Sequence, residues 1–294
     1  MIPIAHLNGW AQYAPWPDLR QVEQDLIISR ALCDLFGDAA LSSRLAFRGG
    51  TAINKLIFQK SLRYSEDIDL VQIEPGPIGP TVDAVRKALS WLGPCKREQA
   101  GHSMHLIFRF APEVEPAAQL KLKVEINTRE HESLLGLKRY PFAVSSPWFS
   151  GGADIASYEP EELFGTKLRA LLQRRKNRDL FDLNEGLLQS KLDTDQVIAC
   201  FNFYLELEGI HIRRAEAEQR MLQKLERSLI EDVAPLLPAG VEFSDRDAEE
   251  AFERIWKSLI TNIKGDPWKL TDQAVQEYRK GRYPNLLRDL QGKG

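Results

Sequence analysis

The sequence predicts an α+β protein, with a small mixed β-sheet and flanking helices over residues 1–156 and an α-helical domain over 157–294. Three observations predict it. Short apolar or alternating segments of strand length occur only in the first half, at 45–48, 65–73, 105–110 and 120–127. From residue 159 onward the apolar spacing is almost entirely helical. Between the two, residues 141–156 are rich in Pro, Ser and Gly and read as a linker. Strands followed by a run of helices predict segregated rather than alternating layers.

Each element has its own local reason. Leu19, Val22, Leu26, Ile27, Leu32 and Leu35 recur at helical spacing over 18–36. Leu45 to Arg48 is a short strand ended by Gly49 and Gly50, and Thr51 is placed to cap a helix running to about Phe58. A strand over Ser65–Ile73 stops at Pro75, Gly76, Pro77, Gly79 and Pro80. A helix over 81–92 carries Val82, Val85, Leu89 and Leu92 on one face. His105–Phe110 reads as a strand. So does Leu120–Asn127, where Leu120, Leu122, Val124 and Ile126 alternate with Lys121, Lys123, Glu125 and Asn127. In the second half the helical segments are 160–175, 178–188, 195–208, 212–232 and 247–263.

With 294 residues, 43% of them hydrophobic, the chain can bury a substantial core. Net charge is −3, so no global basic field draws in nucleic acid, and any such binding needs a local patch. Cys33, Cys95 and Cys200 are odd in number and lack metal-ligand spacing, as expected of reduced thiols in the cytoplasm. Residues 1–10 show no basic region followed by an apolar run, and no stretch approaches 18 apolar residues, so neither a signal peptide nor a membrane span is expected. The five histidines, His6, His102, His105, His131 and His211, have no ligand spacing and read as incidental.

One block carries chemistry. Phe47-Arg48-Gly49-Gly50-Thr51-Ala52 precedes Arg63-Tyr64-Ser65-Glu66-Asp67-Ile68-Asp69-Leu70. At i and i+2 on a strand, Asp67 and Asp69 leave the same face while Ile68 and Leu70 enter the core. Two carboxylates on one rigid face can bridge a pair of hard cations, and Mg2+ favours a few carboxylates together with phosphate oxygens. Two such ions could activate a hydroxyl and stabilise a leaving pyrophosphate. Gly49 and Gly50, without side chains, let backbone amides approach a triphosphate; Thr51, Arg63 and Ser65 lie where they could contact the same phosphates. Taken alone, Asp-x-Asp is usually a solvated strand face and Gly-Gly usually a turn. The order strand, Gly-Gly, helix, Asp-x-Asp strand is what makes the block specific.

These residues resemble the signature of the AbiEii/AbiGii-type nucleotidyltransferase toxins, within the DNA polymerase β-like superfamily. The resemblance continues through Leu122-Lys123-Val124-Glu125-Ile126-Asn127, Lys167-Leu168-Arg169-Ala170 and Arg175-Lys176-Asn177-Arg178-Asp179-Leu180-Phe181-Asp182-Leu183. Asp232-Val233-Ala234-Pro235-Leu236-Leu237-Pro238 and Phe243 to Ile263 share the family look, so the match spans roughly 20–265. The interval from Gly50 to Asp67 is longer than in the minimal superfamily motif and fits the toxin subgroup.

The resemblance implies a nucleotidyltransferase core completed by the helical domain, which closes the cleft. It implies transfer of a nucleoside monophosphate from an NTP, with two Mg2+ ions, to an acceptor that is foremost the 3′ end of tRNA. It also implies a separate winged-helix antitoxin protein. Glu125, on the polar face of its strand, becomes the third carboxylate, as metal ligand or as base. Lys167 lies on an apolar helical stripe and must snorkel or meet an anion; the resemblance gives it the triphosphate. Arg178 and Asp182 belong to the family's Arg-Asp-x-x-Asp pattern, with Asp182 expected near the site beside Lys167 or Arg178. Arg175–Asp179 and Arg178–Asp182 have the spacing of helical ion pairs, whereas Arg174 and Lys176 have no obvious partner and are expected to face solvent and hold RNA. A protein hydroxyl or small-molecule acceptor, or a nucleotide-binding module without catalysis, are the competing readings.

Overall fold

In the computed structural model, which describes residues 2–288, the chain divides into two compact units. The first runs to Glu159 and takes in Leu236–Gly240; the second takes Pro160–Pro235 and resumes at Val241. A single boundary at 156 does not provide for that return of Leu236–Gly240 to the first unit, where the Leu236 carbonyl accepts from the Tyr64 amide at 2.6 Å.

The first unit opens with helices α1 (Ile4–Trp10), α2 (Leu19–Gly37) and α3 (Ala39–Ser42). Strand β1 (Leu45–Arg48) runs directly into α4 (Gly49–Ala52), which continues as a π-helical turn over Ile53–Ile57. Then follow β2 (Asp67–Gln72), α5 (Gly79–Ala88), β3 (Cys95–Ala100), β4 (Ser103–Phe110), β5 (Leu120–Asn127), β6 (Leu137–Ser145) and β7 (Ser150–Tyr158). The seven strands form one mixed sheet in the order β3-β4-β5-β2-β1-β7-β6. β2 sits at its centre, parallel to β5 and antiparallel to β1. α2 packs on β5, β6 and β7, and its apolar residues share one core with Phe47, Ile68, Leu70, Leu122, Val124 and Ile126.

The sheet is larger than the four-stranded one expected. Residues 141–156 are not a linker but most of the hairpin β6–β7. Their Pro and Gly residues have strand-specific uses. β6 is the outer strand, where a missing N–H at Pro141 is tolerated. A Cβ on Gly152 would lie 3.0 Å from the Phe142 carbonyl, so glycine here permits close backbone approach. Thr51 does not cap a helix either, because α4 already begins at Gly49.

α2 is buried on nearly every side, so its polar residues must find partners. Asp25 accepts from Trp10 Nε1 at 2.9 Å and pairs with Lys55 Nζ at 2.7 Å. Gln24 donates to the carbonyls of Glu66 (3.0 Å) and Lys121 (2.8 Å), tying together the approaches to β2 and β5.

The second unit is helical: α6 (Pro160–Gln173), α7 (Arg178–Gln189), α8 (Thr194–Leu207), α9 (Arg214–Gln223), α10 (Asp245–Ser258) and α11 (Thr271–Arg279). The predicted helix 212–232 is shorter, ending in a 3-10 turn over Lys224–Glu226. α6 packs closely on α8 because Gly165 has no side chain: a Cβ there would lie 2.6 Å from the Cys200 Cβ. Among the described residues no helix is long and apolar enough to cross a membrane.

Candidate active site

The turn after β1 sets the site's geometry. Leu45, Ala46 and Phe47 are buried in the sheet, and the chain must then reverse into α4. Gly49 does this at φ +82°, a left-handed conformation that L side chains rarely adopt. A Cβ there would also stand 2.2 Å from Asp69 Oδ2. The first glycine of the pair therefore has two independent reasons to be glycine, and the second places Asp69 against the turn. The Gly50 carbonyl accepts from Asn54 Nδ2 at 3.0 Å, while Asn54 Oδ1 accepts from the Leu62 amide at 3.0 Å. Asn54, inside the π-helical turn, thus links the glycine turn to the loop that leads into β2.

Thr51 acts sideways. Its buried hydroxyl donates to the Asp67 carbonyl at 2.6 Å and lies 2.6 Å from Ser65 Oγ. It braces the backbone of the first aspartate and leaves Ser65, half-buried, beside it. Arg63 is 2% exposed and donates from Nη1 to the Tyr64 carbonyl at 3.0 Å. That side chain is turned into the fold.

Asp67 and Asp69 alternate with buried Ile68 and Leu70 along β2. The parallel register with β5 sets Asp67 opposite Lys123 and Asp69 opposite Glu125. β4 then sets His105 opposite Glu125. Three neighbouring strands thereby gather Asp67, Asp69, Glu125, Lys123 and His105. Lys123 Nζ lies 3.0 Å from Glu125 Oε2 and 3.3 Å from Asp67 Oδ2, and His105 Nε2 is 3.2 Å from Glu125 Oε2. At the end of β1, Arg48 pairs with Glu130.

The charges do not balance. Burial, and then the negative charges of Glu125 and Asp67, push the Asp69 carboxyl above its ordinary pKa. Glu125 goes the other way: burial opposes its charge, but Lys123, Ser103 and His105 together hold its pKa below the usual value. Lys123 is pushed down by burial and up, by more, through its hydrogen bond to Glu125 and the charges of Asp67, Glu125 and Asp69.

Among the described residues no three His, Cys, Asp or Glu side chains converge as a ready-made metal cage. Lys123 lies between Asp67 and Glu125, and its ammonium stands where their charge calls for a cation. The donor set nonetheless fits a hard divalent ion. It is all carboxylate oxygen, projects from rigid strands, and includes Asp69, whose pKa stays raised although Lys123 and Arg48 pull it down.

The other expected site residues form a cluster inside the second unit. Lys167 Nζ pairs with Asp179 Oδ1 at 3.0 Å and Asp182 Oδ2 at 2.8 Å, all three side chains being buried. Arg174 also binds Asp179, through Nε and Nη2 at 2.6 Å each. Burial disfavours the Asp179 charge, yet Lys167 and Arg174 hold its pKa well below the carboxylate range. The helical pairs Arg175–Asp179 and Arg178–Asp182 therefore do not form, because longer-range partners take both aspartates. Arg174 is not an unpartnered surface cation. Arg178 is half-buried and has no side-chain partner among the described residues. Lys123 and His105 are the residues that sequence reading passed over; only the strand register, His105 opposite Glu125 and Lys123 opposite Asp67, reveals them.

Residues 30–267 match the family described as "Nucleotidyl transferase AbiEii toxin, Type IV TA system". Among solved structures, MenT4, a nucleotidyltransferase toxin from Mycobacterium tuberculosis H37Rv, superposes with a TM-score of 0.58 at 16% identity, covering 94% of this chain and 95% of that one. JHP933 from Helicobacter pylori gives a TM-score of 0.48 at 16% identity, over 82% of this chain and 94% of that one. No curated protein sequence matches the chain.

Proposed function

This chain belongs to the AbiEii nucleotidyltransferase toxin family, and from that premise we propose that it transfers a nucleoside monophosphate from an NTP to the 3′ end of an RNA, tRNA foremost, at the Asp67–Asp69–Glu125 face. The family places it in a type IV toxin–antitoxin system, so an NTP substrate and an antitoxin partner go with the assignment. That the antitoxin is a separate winged-helix protein, and that the chain acts in the cytoplasm where tRNA is found, belong to the proposal.

The observation that carries this reading is the unbalanced charge at Asp69. Three carboxylates on adjacent strands, one of them pushed toward its protonated form by burial and then by the other two, are poorly explained as scaffold. They are well explained as ligands awaiting positive charge. Mg2+ held by Asp67, Asp69 and Glu125 would stabilise the charge that develops on the phosphates during transfer.

The chain's own residues supply the rest. Thr51 fixes the backbone of Asp67. Gly49 keeps the turn clear of Asp69, and Gly49, Gly50 and Ser65 leave small, polar surface where the triphosphate lies. Lys123 orients Asp67 and Glu125 and keeps Glu125 anionic, the form in which it can serve as a metal ligand or as a base. In the reaction the acceptor hydroxyl gives up its proton to solvent as its oxygen bonds to the α-phosphorus, the α–β phosphoanhydride breaks, and pyrophosphate leaves. Lys167, Asp179 and Asp182 satisfy one another and are assigned to holding α6 on α7; Arg178 stays a candidate for the nucleotide.

Incubating the protein with α-32P-labelled NTPs, Mg2+, total RNA and total protein tests the proposal. Label should enter RNA, and Asp67→Ala should lower incorporation by at least about a hundredfold. Label in protein would reassign the acceptor, and wild-type incorporation by Asp67→Ala would remove the site.

A further inference from the structure

The second unit carries a concentrated positive charge of its own. Arg174, Arg175, Arg220, Lys224 and Arg227, against the single acid Glu226, line a depression of about 460 Å3 near the C-terminal ends of α6 and α9. In a chain of net charge −3, five cations around one small volume need a reason.

Helix ends supply part of it. Carbonyls at a helix C-terminus attract cations, and Arg220 Nη1 donates to the Leu172 carbonyl at 3.0 Å while Lys224 Nζ donates to the Arg174 carbonyl at 2.7 Å. Arg174 is held by Asp179, and Arg220 also pairs with Glu216 at 2.7 Å. Arg175 and Arg227 are not accounted for. Both are exposed, and neither guanidinium has a partner among the described residues. Lys224 is nearly buried beneath them, and burial, reinforced by the Arg174 charge, lowers its pKa to about 8 against the pull of Asp179 and Asp232.

We propose that this depression seats the phosphodiester backbone of the RNA acceptor, with Arg175 and Arg227 each gripping a phosphate above Lys224 and Arg220. The inference rests on RNA being the acceptor. A single carboxylate would offset one of the three cations without a carboxylate partner among the described residues, Arg175, Lys224 and Arg227, whereas successive phosphates offset several. The volume falls within the range of about 300–1,000 Å3 typical of ligand sites. No aromatic ring lines it, so no base is stacked there. The site reads backbone, not sequence, and is built for a polynucleotide rather than for an NTP. Guanidinium forks suit phosphate oxygens bidentately.

The double variant Arg175→Ala with Arg227→Ala tests it in the full chain, since neither side chain supports the fold. Anisotropy of a fluorescent single-stranded RNA would be followed across a KCl series, without NTP or metal. Each backbone contact to a single strand adds about 0.7 to the salt slope, so the slope should fall by about 1.4. That corresponds to roughly 25-fold weaker binding at 0.1 M salt, converging with wild type near 1 M. NTP affinity, measured separately by calorimetry with Mg2+, should not change. An unchanged salt slope would overturn the inference, and loss of NTP affinity at unchanged RNA slope would make the depression a triphosphate seat instead. Because RNA binding is read without turnover, failure of the transfer reaction would leave this result standing. An unchanged slope, in turn, would leave the transfer reading intact.

Discussion

Each unit contains a group of buried or half-buried charges around paired aspartates, and these two groups are balanced differently. In the second unit, Lys167 and Arg174 neutralise Asp179 and Asp182, and Asp179 is driven well below its ordinary pKa. In the first, Lys123 bridges Asp67 and Glu125, while at Asp69 burial and two negative neighbours outweigh the pull of Lys123 and Arg48 and raise the pKa. A charge cluster that serves stability satisfies itself internally. One that serves a ligand carries a deficit the ligand makes good. Both contain residues of the family pattern, so the pattern alone does not separate the two roles; the balance of charge does.

The comparison is broken most forcefully at Lys167. Lys167→Met keeps the stem and deletes the ammonium, leaving Asp182 without that cation in a dry environment. Removing one partner of a buried pair costs about 3–5 kcal/mol, so the melting temperature should fall by roughly 6 °C or more. The sign with pH follows from Asp179. Its folded pKa lies below the unfolded 3.8, so the stability it contributes is present above that value and lost as pH falls through it toward the folded pKa. The wild type should therefore lose more stability in acid than Lys167→Met does, in chemical denaturation at successive pH values. A variant as stable as wild type would place Lys167 outside the scaffold and return it to the nucleotide.

A smaller effect is expected at Gly49. Gly49→Ala adds a Cβ at φ +82° and 2.2 Å from Asp69 Oδ2, so either the turn or the aspartate must move. The backbone penalty is about 1–2 kcal/mol, and nucleotide transfer should fall by more than stability does. Gly50→Ala should be the milder of the two, because Gly50 is not in the left-handed region. Equal transfer rates for Gly49→Ala and wild type would show that Asp69 does not depend on the turn.

How far these features were legible in the sequence follows from their range. β5 was readable to the residue because Leu120 to Asn127 alternate without interruption. Asp67 and Asp69 sit on one strand face as their spacing requires. What failed is longer in range. The hairpin β6–β7 looked like a linker because Pro141, Gly151 and Gly152 signal turns locally, whereas an outer strand position and close backbone approach are tertiary facts. β3, with the sequence Cys95-Lys96-Arg97-Glu98-Gln99-Ala100, has no apolar alternation to detect and lies at the other edge of the sheet. Arg175 and Arg178 had the right spacing for helical pairs with Asp179 and Asp182, but a buried lysine from α6 competes better than an exposed or half-buried arginine one turn away. His105 and Lys123 join the site only through strand register, which no local pattern specifies.

The most direct measurement is thermal denaturation of wild type and Asp69→Asn, each with and without Mg2+. Asp69 has a folded pKa above 3.8, so its favourable contribution exists below that value and is lost as pH rises through the folded pKa; at neutral pH its ionised form is a burden on the fold. The account predicts that Asp69→Asn melts at or above the wild-type temperature without Mg2+. It also predicts that Mg2+ raises the melting temperature of the wild type but not of the variant. A variant that melts well below wild type, with no response of the wild type to Mg2+, would show the carboxylate face to be scaffold of the Lys167 kind and contradict the account.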